Sequence, residues 1–418
     1  MKALVLAGGF PQISLISELK KRKIKVVLAD YYSEPVAKKY ADRFYQVSTL
    51  DVDAIRYLVQ TEKVDFIITV CTDQALLTTA QISNELGLPC YLDFNTALNV
   101  TNKRYMKQMF YKNAIPTAKH VSANKIEDIE LSNFSFPLIV KPVDCNSSKG
   151  VRRCNNYIEL ETYFHEAVNL SRTKNAIVEE FIEGIEISVD IYVEDGKVKI
   201  LCISESDKIS ETDKFVICRA IWPLSLSESL ILRIQKIAQS IADAFLIINS
   251  PMLIQFLYNG KDLYVIEFSA RTGGGVKYLL IKRASGFDVI NAVIDLTLGE
   301  KPHVEEIVAE YRFMVNDFIY CGQGVFDHLE GFEELKNNHI IEDYYLFKRA
   351  GTLFESVSAS GDRVAGFTVV GDTPEELINR HSRAINSIKV ISTDGRDIAR
   401  HDLLTGLVYR NGQICSLK

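Results

Sequence analysis

The sequence Ile-Glu-Phe-Ser-Ala-Arg-Thr-Gly-Gly-Gly at residues 266–275 combines a strand pattern with charged side chains. Side chains alternate between the two faces of a strand, so Glu267, Ser269 and Arg271 are predicted to share one face. A polar face is unfavourable in a buried strand unless a charged group lies against it. A carboxylate binds hard cations, a guanidinium binds phosphate oxygens and glycines allow close backbone approach, so the stretch predicts a metal and phosphate site. The alternative is a half-exposed edge strand that ends in a glycine turn.

The length and charge of the chain restrict its class. With 418 residues, and roughly 100–200 residues per domain, the chain is predicted to form three domains. Its 47% hydrophobic and 24% charged residues are typical of a soluble globular protein. A formal net charge of −6 argues against nucleic acid or an anionic membrane surface as a partner.

Cysteine positions and apolar segments indicate the compartment. The eight cysteines show no zinc-ligand spacing and are interpreted as reduced, mostly buried residues. The apolar run before Gly8 is too short for a secretory signal and is predicted to be a first strand. The most apolar window, residues 241–257, contains polar residues and a proline, so we predict a helix end and a strand there, not a membrane span. We therefore expect a cytoplasmic protein.

The first third of the chain is predicted to form a parallel α/β unit. Apolar runs at residues 3–7, 26–30 and 66–70 have the length of buried strands, and helical spacing occurs at 13–23 and 76–86. Alternating strands and helices favour a parallel sheet.

Two features at the predicted strand ends have more than one interpretation. Gly8 and Gly9, with Asp30 about 20 residues later, resemble a dinucleotide fingerprint, but the third glycine of the motif is missing. We therefore expect a tight turn and no nicotinamide site. Asp73 follows another strand; a helix N-cap is the first interpretation, and a place in a substrate crevice is the second.

A lysine inside an apolar strand indicates a phosphate site. Residues 136–142 read Phe-Pro-Leu-Ile-Val-Lys-Pro, so the single charge, on Lys141, requires a nearby anion. The following loop, residues 146–151, contains Asn, two Ser, Lys and Gly, which suits the binding of phosphate oxygens by hydroxyl and N–H groups. Taken alone, the loop is also compatible with a plain hairpin turn.

An acidic stretch follows at residues 178–186, which read Val-Glu-Glu-Phe-Ile-Glu-Gly-Ile-Glu. The pattern predicts two strands joined at Gly184. Their carboxylates could bind the amine and ribose of a nucleotide, while the backbone at 181–182 contacts the base edge. The alternative is an exposed acidic hairpin.

The order of these segments is more specific than any one of them. Lys103, the FPLIVKP strand, the Ser/Lys/Gly loop, the VEEFIEGIE stretch, Gln-Phe at 255–256 and IEFSAR follow one another. This order resembles the ATP-grasp superfamily of carboxylate–amine ligases, including its carbamoyl-phosphate-synthase-like members. The resemblance implies an α/β and α+β multidomain fold: a Rossmann-like pre-ATP-grasp domain at 1–112, a two-subdomain ATP-grasp core at 113–300 and an α+β C-terminal cap domain at 301–418.

The last third gives weaker signals. Residues 344–347, 356–358 and 366–370 are predicted to be antiparallel strands, and residues 373–387 a helix with a Thr-Pro-Glu-Glu start. A cap that helps to close the site is our interpretation, and an oligomerisation domain is the alternative.

The resemblance also implies a role for each matching residue. The predicted cations for the ATP phosphates are Lys103 and Lys141. The predicted phosphate-covering loop is Ser147, Ser148, Lys149 and Gly150. The adenine-contacting hinge is Glu179, Glu180, Phe181 and Ile182, and the ribose carboxylate is Glu186. The metal ligands are Gln255, Glu267 and Ser269. Arg271 and Lys141 are the predicted catalytic residues, and Arg271 is assigned to the transferring phosphoryl group. Lys208 is assigned to a further phosphate or substrate contact, and the alternative is a solvated lysine.

The implied activity is ATP-dependent formation of a C–N bond. A carboxylate becomes an acyl phosphate, an amine displaces phosphate, and ADP is released, with ATP and Mg²⁺ (or Mn²⁺) required. Many members have glutamate where this chain has Gln255 and asparagine where it has Ser269. The expected partners are small-molecule carboxylate and amine substrates, with a homodimer as one expected assembly. The alternatives are a bicarbonate-activating enzyme and a non-catalytic ATP-binding protein.

Overall fold

The computed structural model describes residues 1–209 and 215–417. Short aliphatic runs in the first third form strands that alternate with helices. The elements are β1 (Lys2–Leu6), α1 (Phe10–Lys21), β2 (Lys25–Asp30), β3 (Arg43–Gln46), α2 (Val52–Glu62), β4 (Phe66–Ile68), α3 (Asp73–Leu86), α4 (Phe94–Thr101) and α5 (Lys103–Lys112). The strands pair in parallel in the order β3-β2-β1-β4, which confirms the predicted parallel sheet. The weakly apolar β3 and helix α2 were not predicted.

The glycines after β1 serve a turn in this structure. The Asp30 carboxylate accepts hydrogen bonds from the N–H groups of Gly8 (2.6 Å) and Tyr32 (2.7 Å). A Cβ at Gly8 would lie 2.6 Å from Pro35, so only glycine allows this close approach. The glycine-and-aspartate pattern therefore holds the β1–α1 and β2 ends together.

The middle third forms two sheets that face each other. Its elements are β5 (His120–Ala123), β6 (Leu138–Pro142), β7 (Arg152–Cys154), α6 (Tyr157–Leu170), β8 (Ala176–Glu180), β9 (Ile185–Glu194), β10 (Lys197–Lys208), β11 (Ile217–Trp222), α7 (Glu228–Ala244), β12 (Ser250–Tyr258), β13 (Leu263–Ser269), α8 (Lys277–Ser285) and α9 (Val289–Thr297). The first sheet has the antiparallel order β5-β8-β6-β7 and is covered by α6. The predicted hairpin at 178–186 is thus a link between two different sheets.

The last third adds strands to the second sheet. Its elements are β14 (Phe313–Ile319), β15 (Gly324–Glu330), α10 (Phe332–Asn337), β16 (Asp343–Leu346), β17 (Leu353–Phe354), β18 (Ala365–Gly371), α11 (Pro374–Ser387), β19 (Lys389–Ser392), β20 (Leu407–Arg410) and β21 (Gln413–Ser416). The large sheet has the order β13-β12-β9-β10-β11-β14-β18-β16, so it continues across the predicted boundary at residue 300. The strand predicted at 356–358 is wrong, because Ser358 instead donates its N–H and hydroxyl to Asp362 in a turn.

A buried ion pair joins the middle and last thirds. Arg219 on β11 lies opposite Asp317 on β14, and the Nη2 of Arg219 donates to Asp317 Oδ2 at 2.9 Å. His381 on α11 also contacts this carboxylate, at 2.7 Å. Burial alone would raise the pKa of Asp317, but Arg219 and His381 hold it well below its usual range. The pair fixes the C-terminal strands against the sheet that carries the site.

The described residues contain no membrane-spanning helix, no metal-ligand cluster and no disulfide. No helix in the described ranges is long and apolar enough to cross a membrane. Within the same ranges, no three His, Cys, Asp or Glu side chains are grouped as a metal site. The eight cysteines form no disulfide with one another.

Candidate active site

A cavity of about 270 Å³ lies between the two sheets of the middle third. Strands β6 and β8 line one side, and β9, β10, β12 and β13 line the other. The predicted residues that line this cavity, called here the first cavity, are Lys103, Lys141, Ser147, Ser148, Glu179, Glu180, Phe181, Ile182, Glu186, Lys208, Gln255 and Glu267. Residues far apart in the sequence therefore meet at one place.

Lys103 lies at the start of α5, where Asn102 caps the helix by accepting from the Arg104 N–H. Its Nζ donates to the Cys145 carbonyl at 2.7 Å and lies 3.1 Å from Glu267 Oε2. Burial acts against the charge of Lys103, but Glu267 outweighs burial and raises the lysine pKa. A buried ammonium is thus fixed beside the predicted metal ligand.

Lys141 shares one carboxylate with a second buried lysine. Its Nζ lies 2.9 Å from Glu179 Oε2, and Lys107 Nζ lies 3.1 Å from Glu179 Oε1. Burial favours the neutral acid, but the two lysines hold the pKa of Glu179 at about 2. The three side chains carry one net positive charge when all are ionised. Lys141 lines the first cavity and Lys107 lies behind it, so this charge faces the cavity through Lys141.

Glu186 is held by two side chains from neighbouring strands. Lys208 Nζ lies 2.7 Å from its Oε2, and the amide nitrogen of Gln255 donates to its Oε1 at 2.7 Å. Lys208 also lies 5.1 Å from the ring centroid of Phe215. Lys208 is thus ion-paired, although a quarter of its side chain remains exposed. Gln255 donates to Glu186 through its nitrogen, which leaves its amide oxygen for another partner.

The link between β8 and β9 presents backbone groups to the first cavity. The N–H groups of Glu180 and Phe181 donate to the Lys119 (3.0 Å) and Pro137 (3.3 Å) carbonyls. Within the described part of the chain, the backbone N–H and C=O of Ile182 bond to no other residue. Ile182 therefore offers the unpaired backbone groups that an adenine edge would use.

The loop at 146–151 lies across the mouth of the first cavity. Ser147 and Ser148 have φ values of +60° and +62°, and the Ser148 hydroxyl donates to the Phe215 carbonyl at 2.8 Å. The Ser360 N–H donates to the Ser147 carbonyl at 3.0 Å, so the last third of the chain contacts the loop. At Gly150 a Cβ would lie 2.7 Å from Leu170, which explains the glycine. Lys149 is exposed.

A bulge shapes β13, the strand that carries the predicted metal ligands Glu267 and Ser269. Gln255 lies opposite Glu267, but the next pair is Phe256 with Val265, so Ile266 is the extra residue. Val265 and Phe268 both pack in the core as a result. Glu267 is left facing the cavity, beside Gln255.

Asp73 binds the two remaining residues of the predicted polar face. The Ser269 hydroxyl donates to Asp73 Oδ1 at 2.6 Å, and Arg271 Nε donates to the same oxygen at 2.8 Å. Arg271 Nη2 donates to Asp73 Oδ2, which makes the pair bidentate. Burial favours protonated Asp73, but Arg271 lowers the pKa of this acid.

A second cavity, of about 630 Å³, adjoins the first. Arg271, Asp73 and Lys277 line it, together with residues of the last third. Both cavities share Gln255, Glu267 and residues 146–148 as lining. Two of the three predicted metal ligands, Gln255 and Glu267, therefore lie with part of the loop where the two cavities meet.

Comparison with known families agrees with this geometry. The ATP-grasp domain family matches residues 134–278, and L-amino acid ligase C-terminal domain 2 matches residues 317–392. Residues 134–278 of the chain are therefore an ATP-grasp domain. The ATP-grasp match includes Lys141, the loop, Glu186 and IEFSAR, whereas Lys103 precedes it.

Individual ATP-grasp relatives are similar at low identity. The L-arginine-specific L-amino acid ligase of Bacillus subtilis is 23% identical over 355 residues, 81% of this chain and 84% of that protein. The carbamoyl phosphate synthase large chain of Clostridium acetobutylicum is 22% identical over 293 residues, and the chain spans only 27% of its length. The crystal structure of L-amino acid ligase from Bacillus licheniformis has a TM-score of 0.78 at 22% identity, covering 94% of this chain and 98% of that one, which shows the fold.

Three side chains of the chain differ in position or partner from the sequence-based expectation. Ser269 lines neither cavity and donates its proton to Asp73, so the structure does not bring it to Gln255 and Glu267. The Glu179 carboxylate is paired with Lys107 and with the predicted phosphate cation Lys141, so it is not free for the predicted contact with adenine. Asp73 is the first residue of α3 and not its N-cap, which is Thr72.

Lys107 is a functional candidate that sequence reasoning missed. It is almost completely buried, which is rare for lysine. Lys103 and Lys107 are four residues apart on α5, a spacing that places both on one helix face. That spacing was the available signal.

We predict that ATP affinity decreases at alkaline pH because of Lys107. Burial and the neighbouring Lys141 lower the pKa of Lys107 to about 8, although Glu179 and Glu267 act in the opposite direction. Above that pH the cluster loses its net positive charge, so the affinity for Mg·ATP should fall by at most about tenfold per pH unit. Calorimetric titration at pH 7 and pH 9.5 measures this change.

Lys107→Arg is the matched variant, because guanidinium stays protonated over this range. Its ATP affinity should change little with pH, whereas Lys107→Met should bind weakly at both pH values. A wild-type affinity that is equal at both pH values would contradict the role of Lys107.

Proposed function

We propose that the protein is an ATP-dependent ligase that activates a carboxylate as an acyl phosphate and joins it to an amine, with release of ADP and phosphate. The observation that carries this proposal is the meeting of the two cavities at Gln255 and Glu267. The lysines lie around the first cavity and Arg271 lies in the second. A nucleotide in the first cavity would thus direct its γ-phosphate towards a substrate in the second.

The chemistry follows from that arrangement. A carboxylate oxygen of the acid attacks the γ-phosphorus, the bond to the β-phosphate oxygen breaks, and ADP leaves. The amine nitrogen then attacks the acyl carbon, loses a proton and displaces inorganic phosphate. Lys103 and Lys141 would stabilise charge on the phosphates, and Arg271, held by Asp73, would orient the transferring group. The loop at 146–151 would exclude water from the acyl phosphate.

The donor set at the junction fits Mg²⁺. Glu267 offers a carboxylate and Gln255 an amide oxygen, both of which are ligands that this hard cation accepts. Bound there, the ion would supply charge neutralisation between phosphate oxygens. Lys103, 3.1 Å from Glu267, would keep that carboxylate ionised and oriented.

The domain assignment remains part of the proposal. We assign residues 1–112 to a Rossmann-like domain, 113–300 to the ATP-grasp core and 301–418 to a cap whose strands extend the core sheet.

The volume of the second cavity, about 630 Å³, supports a substrate larger than bicarbonate. The homodimer remains a prediction.

We expect ADP and inorganic phosphate, and no AMP or pyrophosphate, when the enzyme meets its acid and amine. Cations on the phosphates with arginine at the transferring end favour γ-phosphoryl transfer. Chromatography of nucleotides across acid and amine panels, with product mass, measures the outcome. Stoichiometric AMP would overturn the proposed reaction, and Mg·ATP binding without turnover on any pair would favour a non-catalytic protein.

A further inference from the structure

The second cavity carries more positive than negative side chains. Five cations line it, namely Lys149, Arg271, Lys277, Lys348 and Arg363, against the three carboxylates Asp73, Glu267 and Asp362. Arg271 is paired with Asp73, and Lys277 lies 3.3 Å from the buried Asp190 behind the wall. Glu267 is paired with Lys103. The charges that remain are those of three cations, Lys149, Lys348 and Arg363, and of the carboxylate Asp362.

Lys348 and Arg363 come from adjacent backbone segments. The N–H groups of Phe347 and Lys348 both donate to the Val364 carbonyl, at 2.9 and 3.3 Å. In the described part of the chain neither cation forms an ion pair with a carboxylate. The nearby Asp362 uses its Oδ2 to accept hydrogen bonds from the Ser358 and Ala359 N–H groups, which fixes a turn.

Arg363 is oriented before any ligand binds. Its Nε donates to the Tyr320 hydroxyl and its Nη2 to the Ile217 carbonyl, both at 3.0 Å. The guanidinium carbon lies 3.6 Å from the ring centroid of Phe318. Its Nη1 is directed at Gly275, where a Cβ would lie only 3.1 Å away. The glycine run after Arg271 therefore leaves room for the one nitrogen of Arg363 that has no described partner.

Lys348 and Arg363 are half-buried cations without a described ion pair, and such burial of charge is unfavourable for folding. Burial lowers the pKa of Lys348, and Asp362 and Asp30 only partly oppose this. The Lys348 ammonium lies 5.8 Å from the ring centroid of Tyr32, which carries no charge, and the Nη1 of Arg363 has no described hydrogen-bond partner. An anion from outside the chain would satisfy both.

We propose that Lys348 and Arg363 bind a free carboxylate of a substrate, remote from the carboxylate that is phosphorylated. This inference rests on the proposed ligase function and names its substrate class. The carboxylate belongs either to an amino acid acting as the amine nucleophile or to the acid, which would then be a dicarboxylate. Both have the same chemistry at Lys348, and binding experiments distinguish them.

The experiment uses the full chain loaded with Mg²⁺ and a non-hydrolysable ATP analogue. Matched pairs of ligands are titrated by calorimetry: amino acids against their amides, and short dicarboxylates against their monoamides. Loss of a charge-assisted hydrogen bond corresponds to about 10–100-fold in affinity, so the wild type should favour the carboxylate of one pair type by this factor. The pair type that shows the preference identifies the source.

Lys348→Gln should abolish the preference, and Lys348→Arg should restore it. Arg349→Gln is the matched control, because Arg349 is the next residue, carries the same charge and does not line the second cavity. Arg363→Lys tests the second cation without removing its charge. No preference in any wild-type pair, or the same preference in the Lys348→Gln and Arg349→Gln variants, would overturn the proposal.

ADP release on the same ligands separates this inference from the ligase proposal. Lys348-dependent binding without ADP release would retain the carboxylate site and reject the reaction. ADP release that Lys348→Gln leaves unchanged would retain the reaction and reject the site.

Discussion

Replacing Lys141 with methionine is expected to lower turnover by about 10²–10³-fold, the usual cost of removing one preorganised charged donor from a transferring group. Lys141 faces the first cavity, whereas Lys107 lies behind Glu179 and cannot substitute for it. The variant therefore loses the net positive charge of the cluster. Steady-state ADP release measures the effect.

The Lys107–Glu179–Lys141 cluster allows Lys141 to be replaced without leaving a buried charge unpaired. After the replacement, Glu179 and Lys107 still form a neutral buried pair at 3.1 Å, so no uncompensated charge is left to unfold the protein. Glu179→Gln would instead leave two buried lysines without their shared carboxylate, and we expect it to lower the free energy of unfolding more than Lys141→Met does.

Lys125→Met provides the control for Lys141→Met. Lys125 is exposed and does not line the first cavity, so its loss should leave turnover unchanged. Equal turnover in the Lys141 variant and the wild type, with cooperative thermal unfolding intact, would remove Lys141 from the site.

The strands of the first third could be predicted because their apolar runs are bounded by glycine and charged residues. Buried parallel strands need only that local signal. The strand at 356–358 could not be predicted correctly, because Asp362 forms a turn there by accepting hydrogen bonds from Ser358 and Ala359. Such a turn depends on one side chain and not on periodicity.

The order of the segments pointed to most of the charged residues that line the first cavity, but it did not predict their partners. Arg271, just after the end of β13, pairs with Asp73 on α3. No local sequence pattern connects these two segments. The position of Lys107 behind Glu179 likewise depends on how α5 packs against β8. Contacts between distant segments are set by tertiary packing, which one sequence does not display.

The contacts also give physical reasons for the two departures from the common ATP-grasp pattern. Gln255 donates its amide to Glu186, and a glutamate there would place two carboxylates within hydrogen-bond distance. Ser269 donates to Asp73 and so supports the acid that holds Arg271. Both side chains therefore donate a hydrogen bond to a neighbouring carboxylate.

Glu267→Gln is expected to raise the Mg²⁺ concentration at half-maximal activity by about tenfold or more, because an amide replaces the one carboxylate at the junction of the two cavities. Turnover at saturating Mg²⁺ should also fall by about 10²-fold, since Lys103 loses its partner at 3.1 Å. ADP release across a Mg²⁺ titration at saturating ATP measures both quantities.

Glu186→Gln is the matched control for Glu267→Gln, because it makes the same chemical change in the same cavity. Glu186 is bound by Lys208 and Gln255 and is predicted to contact ribose, so its loss should weaken ATP binding in ground and transition states alike. The Mg²⁺ midpoint at saturating ATP should then remain that of the wild type. A general folding defect would instead lower activity at every Mg²⁺ concentration without moving the midpoint. Identical midpoints in the wild type and in Glu267→Gln would mean that the metal binds elsewhere and that Glu267 serves only to hold Lys103.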